Sequence, residues 1–276
     1  MQHNKDPARA TALKNEGNKL YQSGDFVGAE SLYSKAIIAD DANPALYTNR
    51  AMARLKLKLW DSAISDCQAC LTLNLESMKA NYYLAQANIE LHNYEDALSA
   101  ALRAHALCIS QNDKSLPQVT STVLRCKKEN WEQKEKRRTR ENQMLEDELL
   151  ALMEREKEEM LETCDTEGLR DEVRGEWDDK ASDLRRTFEQ ARQGDDKQRI
   201  VPDWMIDEIS FNIFIDPVTT KTGKSYERAS ILEHLRRSPT DPLTREPLLP
   251  SDLRPNLALR QACEEFLKDN GWAADW

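Results

Sequence analysis

The side chains that could do chemistry at the amino end of this chain are cations and amides rather than nucleophiles. Lys14 and Asn18 stand four apart, Asn49 follows within Tyr47-Thr48-Asn49-Arg50, and Lys79 and Tyr83 again stand four apart. On a helix that spacing places side chains on one face. Two ammonium groups and two carboxamides gathered there suit a pair of carboxylates at the C-terminus of a peptide. Lysine supplies charge-assisted bonds, and asparagine grips backbone or carboxylate. Taken singly each would only solvate a helix; the shared face makes the site. Cys67 and Cys70 form a C-x-x-C, a spacing used by redox centres and zinc half-sites. Beyond residue 200, His234 is the only histidine and Cys263 the only cysteine. No zinc tetrad can be assembled from them, so neither metal nor cofactor is expected. His234 reads as fold support and Cys263 as a small core residue.

The elements that must position these groups follow from the length and composition. A chain of 276 residues has room for two domains at about 150 residues each. The net charge of −10 leaves no basic surface to release counterions from a polyanion, so nucleic acid is not an expected partner. Charged residues make up 32% of the chain, which favours helix, part of it solvated all round, over a β-sandwich. The longest apolar run is Leu149 to Met153, far short of the roughly 20 residues a membrane helix needs. The first ten residues carry no apolar signal segment. The six cysteines, at 67, 70, 108, 126, 164 and 263, are scattered without framework spacing. A soluble protein of a reducing compartment, cytosol or nucleus, is expected.

Shifting the chain by 34 residues aligns Gly17, Ala51 and Ala85, then Ala29, Ala63 and Ala97, then Ala36, Cys70 and Ala104. That period, with small residues where two helices approach, marks three tetratricopeptide helix pairs. Cys67 and Cys70 then lie one turn apart on the second helix of the middle copy, as packing residues. Each pair leaves an apolar face for its neighbour. Residues 116 to 131, with Val119, Val123, Leu124 and Trp131 inward, are expected to cap the last one, giving a domain over 8–126. First helices line the concave side, which is where Lys14, Asn18, Asn49, Lys79 and Tyr83 fall. The set resembles the carboxylate clamp of tetratricopeptide co-chaperones. The resemblance implies a Glu-Glu-Val-Asp tail of cytosolic heat-shock chaperones as ligand; Tyr83 stands where many clamps carry arginine.

From Lys127 to Arg199, 40 of 73 residues are charged, so this stretch is long helix or solvated coil. Leu145, Leu149, Leu152, Met153 and Met160, then Leu169, Val173, Trp177, Leu184 and Phe188, keep a helical period on either side of Gly168. Two helices over 127–200 are expected. Their stripes are too narrow to be buried in a lone hairpin, so pairing with a second copy, as a coiled-coil homodimer, is expected.

At Ile200-Val201-Pro202 the charge runs stop, and short apolar pieces punctuated by proline and glycine begin. Ser225-Tyr226 reads as a strand after a Gly223 turn, 228–237 as a helix, and 257–267 as a helix capped by Asn256. The pieces ISF (209–211), DPV (216–218), GKSYER (223–228), ILEHL (231–235), DPLTREPL (241–248) and PNLALRQACEEF (255–266) occur in the order of the U-box. This stretch, 201–276, resembles that family, a small α+β, RING-like domain whose metal sites are replaced by polar contacts. The resemblance implies a ubiquitin ligase without a covalent enzyme intermediate. Ile209, Phe211 and Pro242, with Leu235 and Leu243 beside them, would receive a ubiquitin-conjugating enzyme, and Arg245 would hold the ubiquitin thioester ready for attack. The whole chain is thus expected to be mainly α: a three-repeat solenoid, a charged helical hairpin and a zinc-free U-box. Its expected role is a co-chaperone ligase that ubiquitinates chaperone-bound misfolded clients. A non-catalytic chaperone adaptor is the alternative from another class.

Overall fold

The chain folds as α1 (Pro7–Gln22), α2 (Phe26–Ala39), α3 (Pro44–Lys56), α4 (Trp60–Leu73), α5 (Met78–Glu90) and α6 (Tyr94–Gln111) in the first part. This is a computed structural model describing residues 6–195 and 200–275. The first residues read for a signal segment, and Asp196, Lys197 and Arg199 of the charged run, lie outside it. Asp6, Asp25, Asn43 and Ser77 cap α1, α2, α3 and α5 by accepting backbone N–H groups that the helices leave unpaired. Within each pair the chain turns through one left-handed residue at the same offset: Gly24 (φ 88°), Lys58 (φ 59°) and His92 (φ 61°). The following residue, Asp25, Leu59 or Asn93, donates its N–H five residues back, to Leu20, Arg54 and Asn88, at 2.9 Å each. Only the first turn uses glycine, so the other two carry about 1–2 kcal/mol of backbone strain each, held by that bond.

The nine small residues aligned by the 34-residue period are all buried. At Gly17 a Cβ would come within 2.7 Å of the Tyr33 ring, so α1 and α2 approach as closely as they do only without one. Cys67 and Cys70 are fully buried free thiols. Burial raises both pKa values, with the Asp66 carboxylate adding at Cys67. They are packing residues, inert as redox groups. Beside them lies an ionic cluster that sequence periodicity did not indicate. Asp66, buried on α4, accepts from Arg50 at 2.6 and 2.9 Å and from Arg54 at 2.9 Å, both on α3, while Arg54 also bonds Glu30 of α2. Arg54 thus ties Asp66 of its own repeat to Glu30 of the preceding one.

Helix α7 (Leu116–Glu162) begins as the expected cap, with Leu116, Val119, Val123 and Cys126 buried. It then runs unbroken through the 126/127 boundary read from the sequence. The chain divides into two compact units, Glu132–Pro202 and the remainder. In the smaller unit the rest of α7 and α8 (Glu167–Asp195) lie side by side, tied by Lys157 and Asp178 at 3.0 Å. The break falls at 163–166, and Gly168 is already inside α8. Met144, Leu145, Leu152, Met160 and Leu169 are exposed along these helices. Among the described residues no helix is long and apolar enough to cross a membrane.

The C-terminal part packs α9 (Arg228–Arg237) and α10 (Leu257–Asp269) on a small antiparallel sheet. Its strand order is β2-β1-β3, with β1 Pro217–Thr219, β2 Ser225–Glu227 and β3 Arg254–Pro255. Gly223 at φ 82° makes the hairpin turn, and Val218 faces Tyr226 and Pro255 across the sheet. Val218, Tyr226, Ile231, Leu235, Leu248 and Leu253 form its core. A further cluster joins this domain to the repeats: Ala229, with Leu232 against it, packs on Met78, Ala104, Cys108, Leu116 and Val119. Gly271 meets Trp131 of α7 so closely that a Cβ would collide with the indole. Replacing Asp66 by alanine leaves Arg50 and Arg54 partly buried without their anion. A loss of about 3 kcal/mol is expected, read as a lowered denaturant midpoint of the repeat domain by circular dichroism.

Candidate functional site

The amide pair of the proposed clamp is assembled directly. Asn18 Oδ1 on α1 accepts from the Tyr33 hydroxyl (2.8 Å) and from Asn49 Nδ2 on α3 (3.2 Å). With its oxygen engaged, the Asn18 amide keeps its N–H groups to donate to a ligand, and Asn49 retains one. The same Tyr33 ring fills the space left by Gly17, so a packing glycine and a binding asparagine are set by one side chain. Lys14 lies one turn before Asn18, and Lys79 one turn before Tyr83 on α5, which packs against α3. Neither lysine makes an ion pair or side-chain hydrogen bond among the described residues. Tyr83 is half-buried, and burial, with Tyr21 and Tyr82 nearby, pushes its hydroxyl up to about 12, so it stays neutral.

In the C-terminal domain two loops are built alike. Bridges Ile206–Ile213 and Thr240–Pro247 close them. In one, Asp207 N–H donates to Asn212 O and Phe211 N–H donates to Asp207 O, both at 2.8 Å. In the other, Asp241 N–H donates to Glu246 O (2.8 Å) and Arg245 N–H to Asp241 O (2.9 Å). The fifth residue of each loop is left-handed: Phe211 at φ 57°, Arg245 at φ 61°. Each loop is pinned by the buried carboxylate that opens it. Asp207 accepts Ser210 N–H (2.8 Å), Ser210 Oγ (2.7 Å) and Glu227 N–H (2.9 Å). Asp241 accepts Leu243 and Thr244 N–H, the Tyr226 hydroxyl and Thr222 Oγ1. Burial pulls Asp241 upward, but these bonds outweigh it and hold the carboxyl below its usual range.

The anchored loops present Phe211 (71% exposed), Leu243 (54% exposed) and Arg245 to solvent, with Ile209 and Pro242 half-buried beside them. The expectation for Leu235 is corrected. It is 9% exposed and belongs to the core with Tyr226 and Leu248, because the inward face of α9 must cover the sheet. His234 Nε2 lies 3.0 Å from Thr240 O, so it is the protonated nitrogen, and it ties α9 to the second loop as fold support. Among the described residues no group of three or more His, Cys, Asp or Glu side chains is placed to hold a metal.

Sequence reasoning missed the anchors Asp207 and Glu227. The signal was present: Asp207-Glu208-Ile209-Ser210-Phe211 and Asp241-Pro242-Leu243-Thr244-Arg245 share Asp, aliphatic and hydroxyl at the same offsets. Glu227 Oε2 accepts the N–H groups of Ile215 and Asp216 at 2.9 and 3.0 Å. Burial pushes this carboxyl up to about 7; the two N–H bonds oppose the shift, and the neighbouring Asp216 and Asp207 carboxylates add to it.

The two loops are cross-braced by buried aspartates, and residues 201–272, which contain them, match the U-box domain family. The chain is a RING-type ubiquitin ligase in class. It is 32% identical over 269 residues, 96% of both chains, to the E3 ubiquitin-protein ligase CHIP of Arabidopsis thaliana. The chain belongs to the CHIP family of E3 ubiquitin-protein ligases. RNA polymerase II-associated protein 3 of Homo sapiens is 38% identical over 92 residues, 33% of this chain and 14% of that protein. A solved first TPR of Spaghetti (RPAP3), bound to the HSP90 peptide SRMEEVD, is 32% identical, covering 43% of this chain and 96% of that one, with a TM-score of 0.38.

Because Glu227 is protonated more readily folded than unfolded, it adds stability below about pH 4.5 that is lost as the pH rises through about 7. The loss amounts to about 3 kcal/mol. Glu227→Gln keeps an oxygen for both N–H donors and is expected to remove this slope between pH 4.5 and 7. Paired chemical denaturation of wild type and variant across that range checks it.

Proposed function

We propose that this ligase is a co-chaperone: Lys14, Asn18, Asn49, Lys79 and Tyr83 hold the C-terminal Glu-Glu-Val-Asp segment of a heat-shock chaperone, and the U-box directs ubiquitin onto lysines of the chaperone or its misfolded client. The observation that carries the first half is the Tyr33–Asn18–Asn49 chain of hydrogen bonds. It orients amide donors on the first helices that also carry Lys14 and Lys79, neither of which makes an ion pair among the described residues. The second half is supported by the exposed Phe211 and Leu243 on a polar chain, in loops whose fifth residues, Phe211 and Arg245, hold a strained backbone, as expected of a docking surface. Ile209, Phe211, Pro242 and Leu243 form the groove for the conjugating enzyme. Arg245, without a side-chain partner among the described residues, points its guanidinium outward to position ubiquitin. Rate enhancement then comes from orienting the thioester.

The molecule acts as a homodimer in this proposal, supported by the exposed apolar stripe on α7 and α8. The six unpaired cysteines, five of them buried, suit a reducing compartment, cytosol with access to the nucleus. Lys14→Ala is expected to lower affinity for a Glu-Glu-Val-Asp peptide at least about tenfold and to abolish ubiquitination of a captured chaperone. Its circular dichroism should stay unchanged, and undiminished calorimetric binding would refute the clamp. Ubiquitin chains formed with conjugating enzymes separate the ligase from a mere adaptor. Sedimentation at micromolar concentration should give twice the monomer mass, and the monomer mass on deleting 132–199.

A further inference from the structure

The U-box and the capping end of the repeats enclose a cavity of about 740 Å³, in the size range of a specific binding site. Its walls are unlike. On one side stand Ser121, Leu124 and Arg125 of α7; opposite are Ile209 of the first U-box loop and His234 and Arg237 of α9. Ala229 and Leu232 of α9 are packed into the same core as Leu116 and Val119 of α7. The two walls are therefore fixed against each other just beside the opening. Ser121, Arg125 and Arg237 are exposed, so the cavity communicates with solvent.

Ile209 belongs to both surfaces. It lines the cavity and, through the Asp207–Ser210 bonds, sits in the loop that carries Phe211. Pro117 and Leu124 line the same cavity as Ile209, so its apolar part runs from the proposed groove past the U-box and onto helix α7.

We propose that the conjugating enzyme is held by a bipartite surface, in which α7 is a second wall: one side chain of the docked enzyme enters between Leu124 and Ile209 while the rest sits on Phe211 and Leu243. This rests on the reading of the U-box loops as the conjugating-enzyme groove. It adds that α7, outside the U-box, takes part in choosing among conjugating enzymes. Leu124 and Ile209 stand among Arg125, Lys128, Glu129, Glu233 and Arg237, so shape and charge together decide which side chain is admitted, and Ser121 stands at the exposed edge.

The test uses the full chain and purified conjugating enzymes, with dissociation constants measured by biolayer interferometry and unfolding followed in parallel. Ser121 is exposed and its side chain makes no hydrogen bond among the described residues, so Ser121→Arg should fold normally. It should weaken binding by about tenfold, with different factors for different conjugating enzymes. Leu124→Ala, a milder change, should weaken it by about threefold. Phe211→Ala serves as the control for the groove. If Phe211→Ala weakens binding while Ser121→Arg and Leu124→Ala leave it unchanged or tighten it, α7 is not a wall and the inference falls, with the groove intact. If none of the three weakens binding, the groove reading fails and the inference with it.

Discussion

Buried aspartate is the constraint from which the catalytic end follows. A loop of five residues with a left-handed fifth position does not keep its shape unaided. At Phe211 and Arg245 that conformation costs of order 1–3 kcal/mol. Asp207 and Asp241 meet the cost by collecting several N–H and O–H donors each, in an interior where such bonds are strong and unpaired charge is prohibitive. A zinc ion would do the same work through four ligands. Here carboxylates use the backbone itself, and the exposed phenylalanine and arginine are consequences of that bracing.

The two aspartates are not independent. Asp207 accepts from Glu227 N–H, Glu227 accepts from Ile215 and Asp216, and Asp216 bonds Arg228 at the start of α9. The Tyr226 hydroxyl reaches Asp241 from the neighbouring position of β2. Adjacent residues of one short strand therefore reach the two loops, Tyr226 through its hydroxyl and Glu227 through its backbone N–H. Strand β2 thereby sets the separation of the two anchored loops. Its burial between α9 and the loops is also what lifts the Glu227 carboxyl toward neutrality.

The same economy operates at the other end. Tyr33 fills the hollow over Gly17 and bonds Asn18, so the closeness of α1 and α2 and the aim of the clamp amide are one fact. The left-handed turns at Gly24, Lys58 and His92 repeat the pairing three times and bring first helices to a common face. A ligase that works by positioning needs both ends rigid. Leu232 and Ala229 seated on α7, with Gly271 against Trp131, give the U-box a fixed attachment to the repeats.

The helical pairs, their period, the inert cysteines, the hairpin at Gly223 and the helix 228–237 were legible in the sequence, because each depends on neighbours along the chain: small residues at a fixed lag, a cap, a glycine turn. Helical spacing puts Lys14 and Asn18 on one face of α1, and Lys79 and Tyr83 on one face of α5; that Asn18 meets Asn49 of α3 depends on how the repeats stack. Tertiary structure decided what depends on distant partners. It buried Leu235, which the chain order alone left beside the groove, and it extended the cap at 116–131 into a helix reaching Glu162. It also matched Asp66 to two arginines, and gave Asp207 and Glu227 their roles. A buried carboxylate announces nothing locally; its environment is made by strands and loops that meet only when the domain closes.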